Sequence, residues 1–236
     1  NLYEFDDQNP ESLIGEGGMG KVYRGRNIQT GDTVAITELR SEIVRSNPSH
    51  VERFVREAEA LRRLNHPNIV NVIDTVDTDH THYIIMDFMP DGSLFDLLRQ
   101  ENSLPIERVL EICLDLADAL TRAHRLNIIH RDNKPANVLI AADGTPRLTD
   151  FGVARIEDKT NMTQTGAIVG TLHYLSPESL DGQRPDESAD IWAFGVMLYE
   201  MLAGFRPFDE DGTGGLINAI INKEPRPLNE VRDGIP

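Results

Sequence analysis

The stretch His130-Arg131-Asp132-Asn133-Lys134-Pro135-Ala136-Asn137 decides the reading of this 236-residue chain. Taken alone it is undecided, because Asp132 reads as a turn acid and Asn137 as a helix cap. Its neighbours change that. Downstream come Asp150-Phe151-Gly152 and then Ser176-Pro177-Glu178. Upstream, Gly15-Glu16-Gly17-Gly18-Met19-Gly20-Lys21-Val22 fits G-x-G-x-x-G-x-V. Glycines let a turn approach phosphate groups closely and offer backbone N–H donors. A dinucleotide-binding fold uses the same spacing, but there the motif runs from strand into helix. Here a strand-like segment, Lys21-Val22-Tyr23-Arg24, leads to a turn at Gln29-Thr30-Gly31-Asp32. Thr33-Val34-Ala35-Ile36 then pairs back.

The pattern changes along the chain. Ser49 and Glu52 have capping-box spacing, and Val51, Phe54, Val55, Ala58, Leu61 and Leu64 form an apolar helical stripe. Asn65-His66-Pro67 stops that helix. Strand-like runs follow at Ile69–Val76 and His82–Met86. Beyond Pro90-Asp91-Gly92 the periodicity becomes helical, with Ile106, Val109, Leu110, Cys113, Leu116, Ala117 and Leu120 along Ile106–Asn127. The spacing predicts an α+β architecture in two lobes. Residues 1–88 form a small β-rich lobe, and residues 89–236 a larger helical lobe. A cleft between lobes is a common ligand site.

Composition narrows the function classes. Apolar residues make up 39% and charged residues 26% of the chain, an ordinary globular balance. The single cysteine, Cys113, excludes an intrachain disulfide framework and a zinc site built from cysteines. Acidic residues number 39 against 23 basic ones, for a formal net charge of −16. Nucleic-acid binders carry a basic footprint, and this sequence has none. The same negative field disfavours anionic membrane surfaces. Ile191–Phe205 is apolar but contains Glu200 and falls short of a membrane span, so it reads as a helix buried inside a domain. The acidic N-terminus lacks the order of a secretory leader. A cytoplasmic location is expected, in isolation or as the cytoplasmic part of a longer protein.

Four motifs in one order and spacing resemble the protein kinase signature set. GEGGMGKVY, NHPNIV and GTLHYLSPE are similar, more narrowly, to the eukaryotic-like serine/threonine kinases of bacteria. The resemblance implies the bilobal kinase fold, Mg-ATP as phosphoryl donor and a protein substrate bearing Ser or Thr. It implies that Asp132 positions the substrate hydroxyl and takes its proton, that Lys134 touches the transferred phosphate, and that Asn137 and Asp150 hold Mg²⁺. Gly15, Gly17, Gly18 and Gly20 would cover the phosphates. Ile14, Val22, Ala35 and Leu139 would sandwich the adenine, beside a gatekeeper, Met86, and a hinge at Asp87, Phe88 and Met89. Leu61, Val72, His130 and Phe151 fall where the family stacks its regulatory spine. Arg131 marks the type whose arginine pairs with an activation-segment phosphate, with Thr163 and Thr165 as autophosphorylation positions. Asp190 would hydrogen-bond the backbone of the catalytic loop.

Three departures stand out. Val34-Ala35-Ile36-Thr37 has threonine where the family has a lysine that bridges the phosphates and the glutamate matching Glu57. Impaired phosphotransfer is expected, on the order of 10²–10³ in rate for one lost preorganised charge; a pseudokinase, acting as a nucleotide-binding or protein-interaction module, is the alternative. Lys21 should point away from the Val22 face, since strand side chains alternate. Asn133 stands where leucine is usual, and a buried amide there needs a partner. Finally, the family adds helices beyond Leu216–Asn222. Without them Glu178 is expected to lack its arginine, and apolar surface beside Ile191–Phe205 to be exposed.

Overall fold

Alternating residue types along the first third of the chain build one sheet. The computed structural model describes residues 2–16, 20–39, 62–78, 81–151 and 172–235. The helix expected around Ser49–Leu64, with Glu57, lies almost wholly outside them, as do Gly17, Gly18, Gly152, Thr163 and Thr165. Strands β1 (Tyr3–Glu4), β2 (Leu13–Glu16), β3 (Gly20–Asn27), β4 (Thr33–Leu39), β5 (Val72–Asp77) and β6 (His82–Asp87) form a sheet in the order β1-β3-β4-β6-β5, with β2 also paired to β3. All its pairings are antiparallel. The β3–β4 turn is the one expected, with Gly31 at φ +81°, a conformation that suits glycine.

Period-two alternation divides the sheet. Register places Tyr23, Ile36 and Ile85 across one another on the outer face, where they join Val34, Phe5 and Tyr83 in a small apolar cluster. The inner face carries the row Val22, Thr37 and Ile84, and beside it Arg24, Ala35 and Met86.

The helices follow. Helix α1 (Leu94–Glu101) starts at a capping box between Ser93 and Asp96. Helix α2 (Ile106–Arg125) directs Val109, Ile112, Leu116, Ala119, Leu120 and Ala123 into the main core. Cys113 is buried there too, and burial pushes its thiol up to about 11. Strands β7 (Val138–Ile140) and β8 (Pro146–Leu148) make a two-stranded ribbon. Then come α3 (Pro177–Leu180), α4 (Glu187–Ala203), α5 (Thr213–Asn222) and α6 (Leu228–Val231). Helix α4 takes in most of the apolar run Ile191–Phe205 and ends on Gly204 in the left-handed region. Among the described residues no helix is long and apolar enough to cross a membrane.

The segment after His66 joins sheet to ribbon. Val70 N donates to Leu148 O at 2.9 Å, Leu148 N to Asn68 O at 2.9 Å, and the buried Asn68 Nδ2 to Pro146 O at 3.1 Å. β5 therefore begins at Val72, because Ile69 instead bridges Leu148.

One expectation about the end of the chain is modified. Beyond Asn222 the chain forms α6 and packs back, with Leu228 and Ile235 against the main core and Arg232 Nη1 donating to Leu104 O and Leu202 O at 2.6 and 3.0 Å. Glu178 accepts from a serine instead of an arginine among the described residues: Ser188 Oγ donates to its Oε1 at 3.0 Å. Burial raises the Glu178 carboxyl, but hydrogen bonds from its own backbone N–H, Ser176 and Ser188 together bring it below its usual value. Ile191 and Phe205 remain exposed, as expected.

Candidate active site

Asp190 organises the loop. It is almost fully buried at the start of α4. Its Oδ2 accepts from His130 N at 2.8 Å and His124 Nε2 at 2.8 Å, and its Oδ1 from Arg131 N at 2.7 Å. These bonds hold Arg131 at φ +68°, in the left-handed region. The strain of such a conformation persists only where surrounding contacts determine it. The sequence pointed to Asp190 as an anchor of this loop, but not to His124 as its third donor. A histidine in the last turn of an amphipathic helix carries no such signal.

His130 is fully buried. Its Nε2 donates to Thr149 O at 2.9 Å, and its ring packs 4.4 Å from that of Phe151. Burial pulls its basicity down against the opposing pull of Asp190 and Asp132, so the ring is neutral. Of the other expected spine positions, Val72 is buried and Leu61 lies outside the described residues.

The loop then brings three chemistry-bearing side chains together. Lys134 Nζ donates to Asp132 Oδ2 at 2.7 Å, and Asn137 Nδ2 donates to the same oxygen at 2.9 Å and to Asp132 O at 2.7 Å. The 3-10 turn Pro135–Asn137 and the Thr149 N to Asn137 O bond at 3.0 Å fix the amide. Because the Asn137 nitrogen is spent on Asp132, the amide oxygen is left for a cation. Asp150 follows β8 at φ +61°. Protein packed around it raises its carboxyl, and the charge of Asp132 adds to this while Lys134 opposes. Its own surface is still open to solvent. One carboxylate and one amide oxygen suit a hard cation such as Mg²⁺. No cluster of three or more His, Cys, Asp or Glu side chains able to hold a metal occurs among the described residues, so the fit rests on Asn137 and Asp150 with oxygens brought by a ligand.

The inner sheet face supplies the other wall. Ala35 is buried opposite Met86, and the half-buried Val22 pairs with Thr37. Leu139 lies on β7, bridged to Ser93. Ile14 sits in a bulge of β2, between Leu13 and Gly15 in the pairing with β3, and is exposed. Met89, the last of the expected hinge residues, is half-buried. Gly20 pairs with Leu39, and a Cβ there would lie 1.8 Å from Glu38 O. No side chain fits that position without moving the strand. Asp87 at the hinge is tied from both sides: its N donates to Asn71 O at 3.1 Å, and Arg147 Nη1 donates to its Oδ2 at 3.5 Å. Burial raises the Asp87 carboxyl, with Arg147 opposing. The Arg24 guanidinium lies 5.2 Å above the Phe88 ring. These hinge contacts join residues far apart in sequence, and no local pattern marks them.

The protein kinase domain model matches residues 9–230. The chain belongs to the protein kinase family. This kinase domain is 37% identical to the serine/threonine-protein kinase PknB of Mycobacterium leprae, over 99% of the chain and 37% of the relative. It is 39% identical to a probable serine/threonine-protein kinase PknB of Lactococcus lactis, over 90% of the chain and 35% of the relative. A probable serine/threonine-protein kinase of Clostridium perfringens is 36% identical, over 94% of the chain and 32% of the relative. The kinase domain thus spans about a third of the length of these curated relatives.

Against that family, two of the three departures acquire structure. Thr37 Oγ1 is buried and has no hydrogen-bond partner among the described residues. Lys21 is exposed on the other face of the sheet, across from Glu16 and Glu38. Asn133 is buried, and both its amide oxygen and its amide nitrogen lack partners among the described residues.

Proposed function

We propose that this kinase domain transfers the γ-phosphate of Mg-ATP to serine or threonine hydroxyls of a protein, and that Thr37 lowers its turnover. The observation that carries the reading is Asp132 held by Lys134 and Asn137 on a loop anchored by Asp190. Phosphoryl transfer asks mainly for positioning and for neutralisation of developing charge. Bound Mg²⁺ would neutralise phosphate charge next to Asn137 and Asp150. Asp132 orients the substrate hydroxyl and takes its proton on the oxygen not engaged by Lys134. Lys134 stands 2.7 Å from Asp132 and places its ammonium where the transferred group passes. Val22, Ala35 and Leu139 exclude water from the base, Ile14 closes over it, and the hinge backbone around Asp87 and Met89 hydrogen-bonds it. Thr163 and Thr165 are proposed as autophosphorylation sites for pairing with Arg131. The acidic chain is read as binding protein rather than nucleic acid or membrane, in a cytoplasmic setting.

Thr37 favours a second reading, a pseudokinase that binds nucleotide or a partner without turnover. Its hydroxyl carries no charge, and Lys21 faces the opposite side of the sheet.

A radiolabelled phosphotransfer assay separates the two. It compares the unmodified chain, Thr37→Lys, and Thr37→Lys with Asp132→Asn. The expected result is a gain on the order of 10²–10³ with Thr37→Lys, abolished by Asp132→Asn. An ordinary kinase rate in the unmodified chain overturns the assigned impairment. Absence of transfer in every form leaves the pseudokinase reading standing.

A further inference from the structure

The inner face of β3 carries Val22 and then Arg24. Register sets Arg24 beside Ala35, and Ala35 beside Met86. This row forms the roof under which the base would lie, and Arg24 is its exposed end. The side chain turns towards the hinge. Its guanidinium carbon lies 5.2 Å from the centroid of the Phe88 ring. Strand β4 stands between β3 and β6, and neighbouring strands lie about 4.8 Å apart. The contact therefore bridges two strand spacings, a reach that arginine has and a short aliphatic side chain lacks. A planar cation over an aromatic face is attracted by the negative charge of that face.

Phe88 is half-buried and sits between Asp87 and Met89, whose backbone is assigned to the base. The neighbouring Asp87 is held from the other direction, because its N donates to Asn71 O at 3.1 Å and Arg147 of β8 reaches its Oδ2 at 3.5 Å. Arg24 supplies the hold from the sheet side. The two residues are 64 positions apart, so no local pattern in the sequence announces the contact.

We propose that Arg24 is a positioning residue for the nucleotide base. By capping the Phe88 ring it keeps the Asp87–Met89 backbone at a fixed angle to the roof formed by Ala35. It acts through Phe88, so its loss falls on recognition of the base and leaves recognition of the phosphates intact. The proposal rests on the nucleotide reading of the cleft and deepens it.

The test is isothermal titration calorimetry of the chain with Mg-ADP, with adenosine and with tripolyphosphate. Arg24→Met keeps the aliphatic reach and removes the charge. It is expected to weaken Mg-ADP and adenosine by about two- to fivefold, the range of an exposed cation–π contact, and to leave tripolyphosphate unchanged. Arg24→Lys should restore most of the affinity. In the Phe88→Leu background, Arg24→Met should cost nothing further, since the ring it caps is gone. Melting temperatures of the Arg24 variants should match the parent, because the side chain is exposed.

Parent-like affinity for adenosine in Arg24→Met overturns the proposal. So does an equal loss for tripolyphosphate, since Arg24 would then act as a simple charge, and so does an undiminished effect in the Phe88→Leu background. A parent that binds neither Mg-ADP nor adenosine overturns the nucleotide reading itself, and this proposal with it.

Discussion

Asn133 costs this protein stability. An unsatisfied buried polar atom carries a penalty of about 1–3 kcal/mol, and both atoms of this amide lack partners among the described residues. Asn133→Leu should therefore stabilise the fold by about 1–3 kcal/mol, with each kcal/mol worth roughly 2–4 °C in a domain of this size. A thermal melt checks it, and an unchanged or lower midpoint would show that the amide is satisfied in solution. The same position shows what a sequence offers. The polar residue next to Asp132 stands out in the sequence, as does Thr37. Their lack of partners could only come from the packing. The role of His124 on Asp190 was hidden for the same reason, because 66 residues separate the two.

At the scale of elements, a half-buried carboxylate makes α4 sensitive to pH. Glu200 is half-buried near its C-terminal end, and Tyr174 OH donates to it. Burial raises its carboxyl above 4.5, although Tyr174 and Arg206 pull the other way. The neutral acid is then the form the fold prefers. Its stabilising contribution is complete below the unfolded value and is lost as pH rises through the folded one. Melting temperatures of the parent and Glu200→Gln should accordingly shift in favour of the variant as pH rises from 4 to 7; parallel curves would contradict this. Between β3 and β4 the constraint is steric. Gly20→Ala places a carbon against Glu38 O and should destabilise by about 1–3 kcal/mol, read as a lower denaturation midpoint. Helix α2 was legible from spacing to within two residues, since Ile106–Arg125 was expected to end at Asn127, whereas the short helices α1, α3 and α6 are too brief to show a periodicity. β5 was read too early, because Ile69 follows an apolar strand pattern but spends its backbone on β8.

Across the whole molecule, the two parts of the fold meet through Asn68. Its side chain and backbone, with Val70, make three hydrogen bonds to β8. Asn68→Ala removes one of them and leaves Pro146 O unpaired, for an expected loss of about 1–3 kcal/mol in a single cooperative transition. A split into two transitions would mean that sheet and helical core unfold independently. The division into lobes was visible from the change in periodicity near Gly92, but this seam was not, since NHPNIV reads locally as a helix stop. The lone thiol offers a way to watch the whole assembly. Cys113 sits inside α2, and its sulfur stays protonated at ordinary pH. Only thiolate reacts with alkylating reagents. Modification must therefore wait for the core to open, so the rate of labelling by iodoacetamide is a clock for that opening. The native sequence thus supplies its own probe of kinetic stability, with no dye, tag or engineered cysteine.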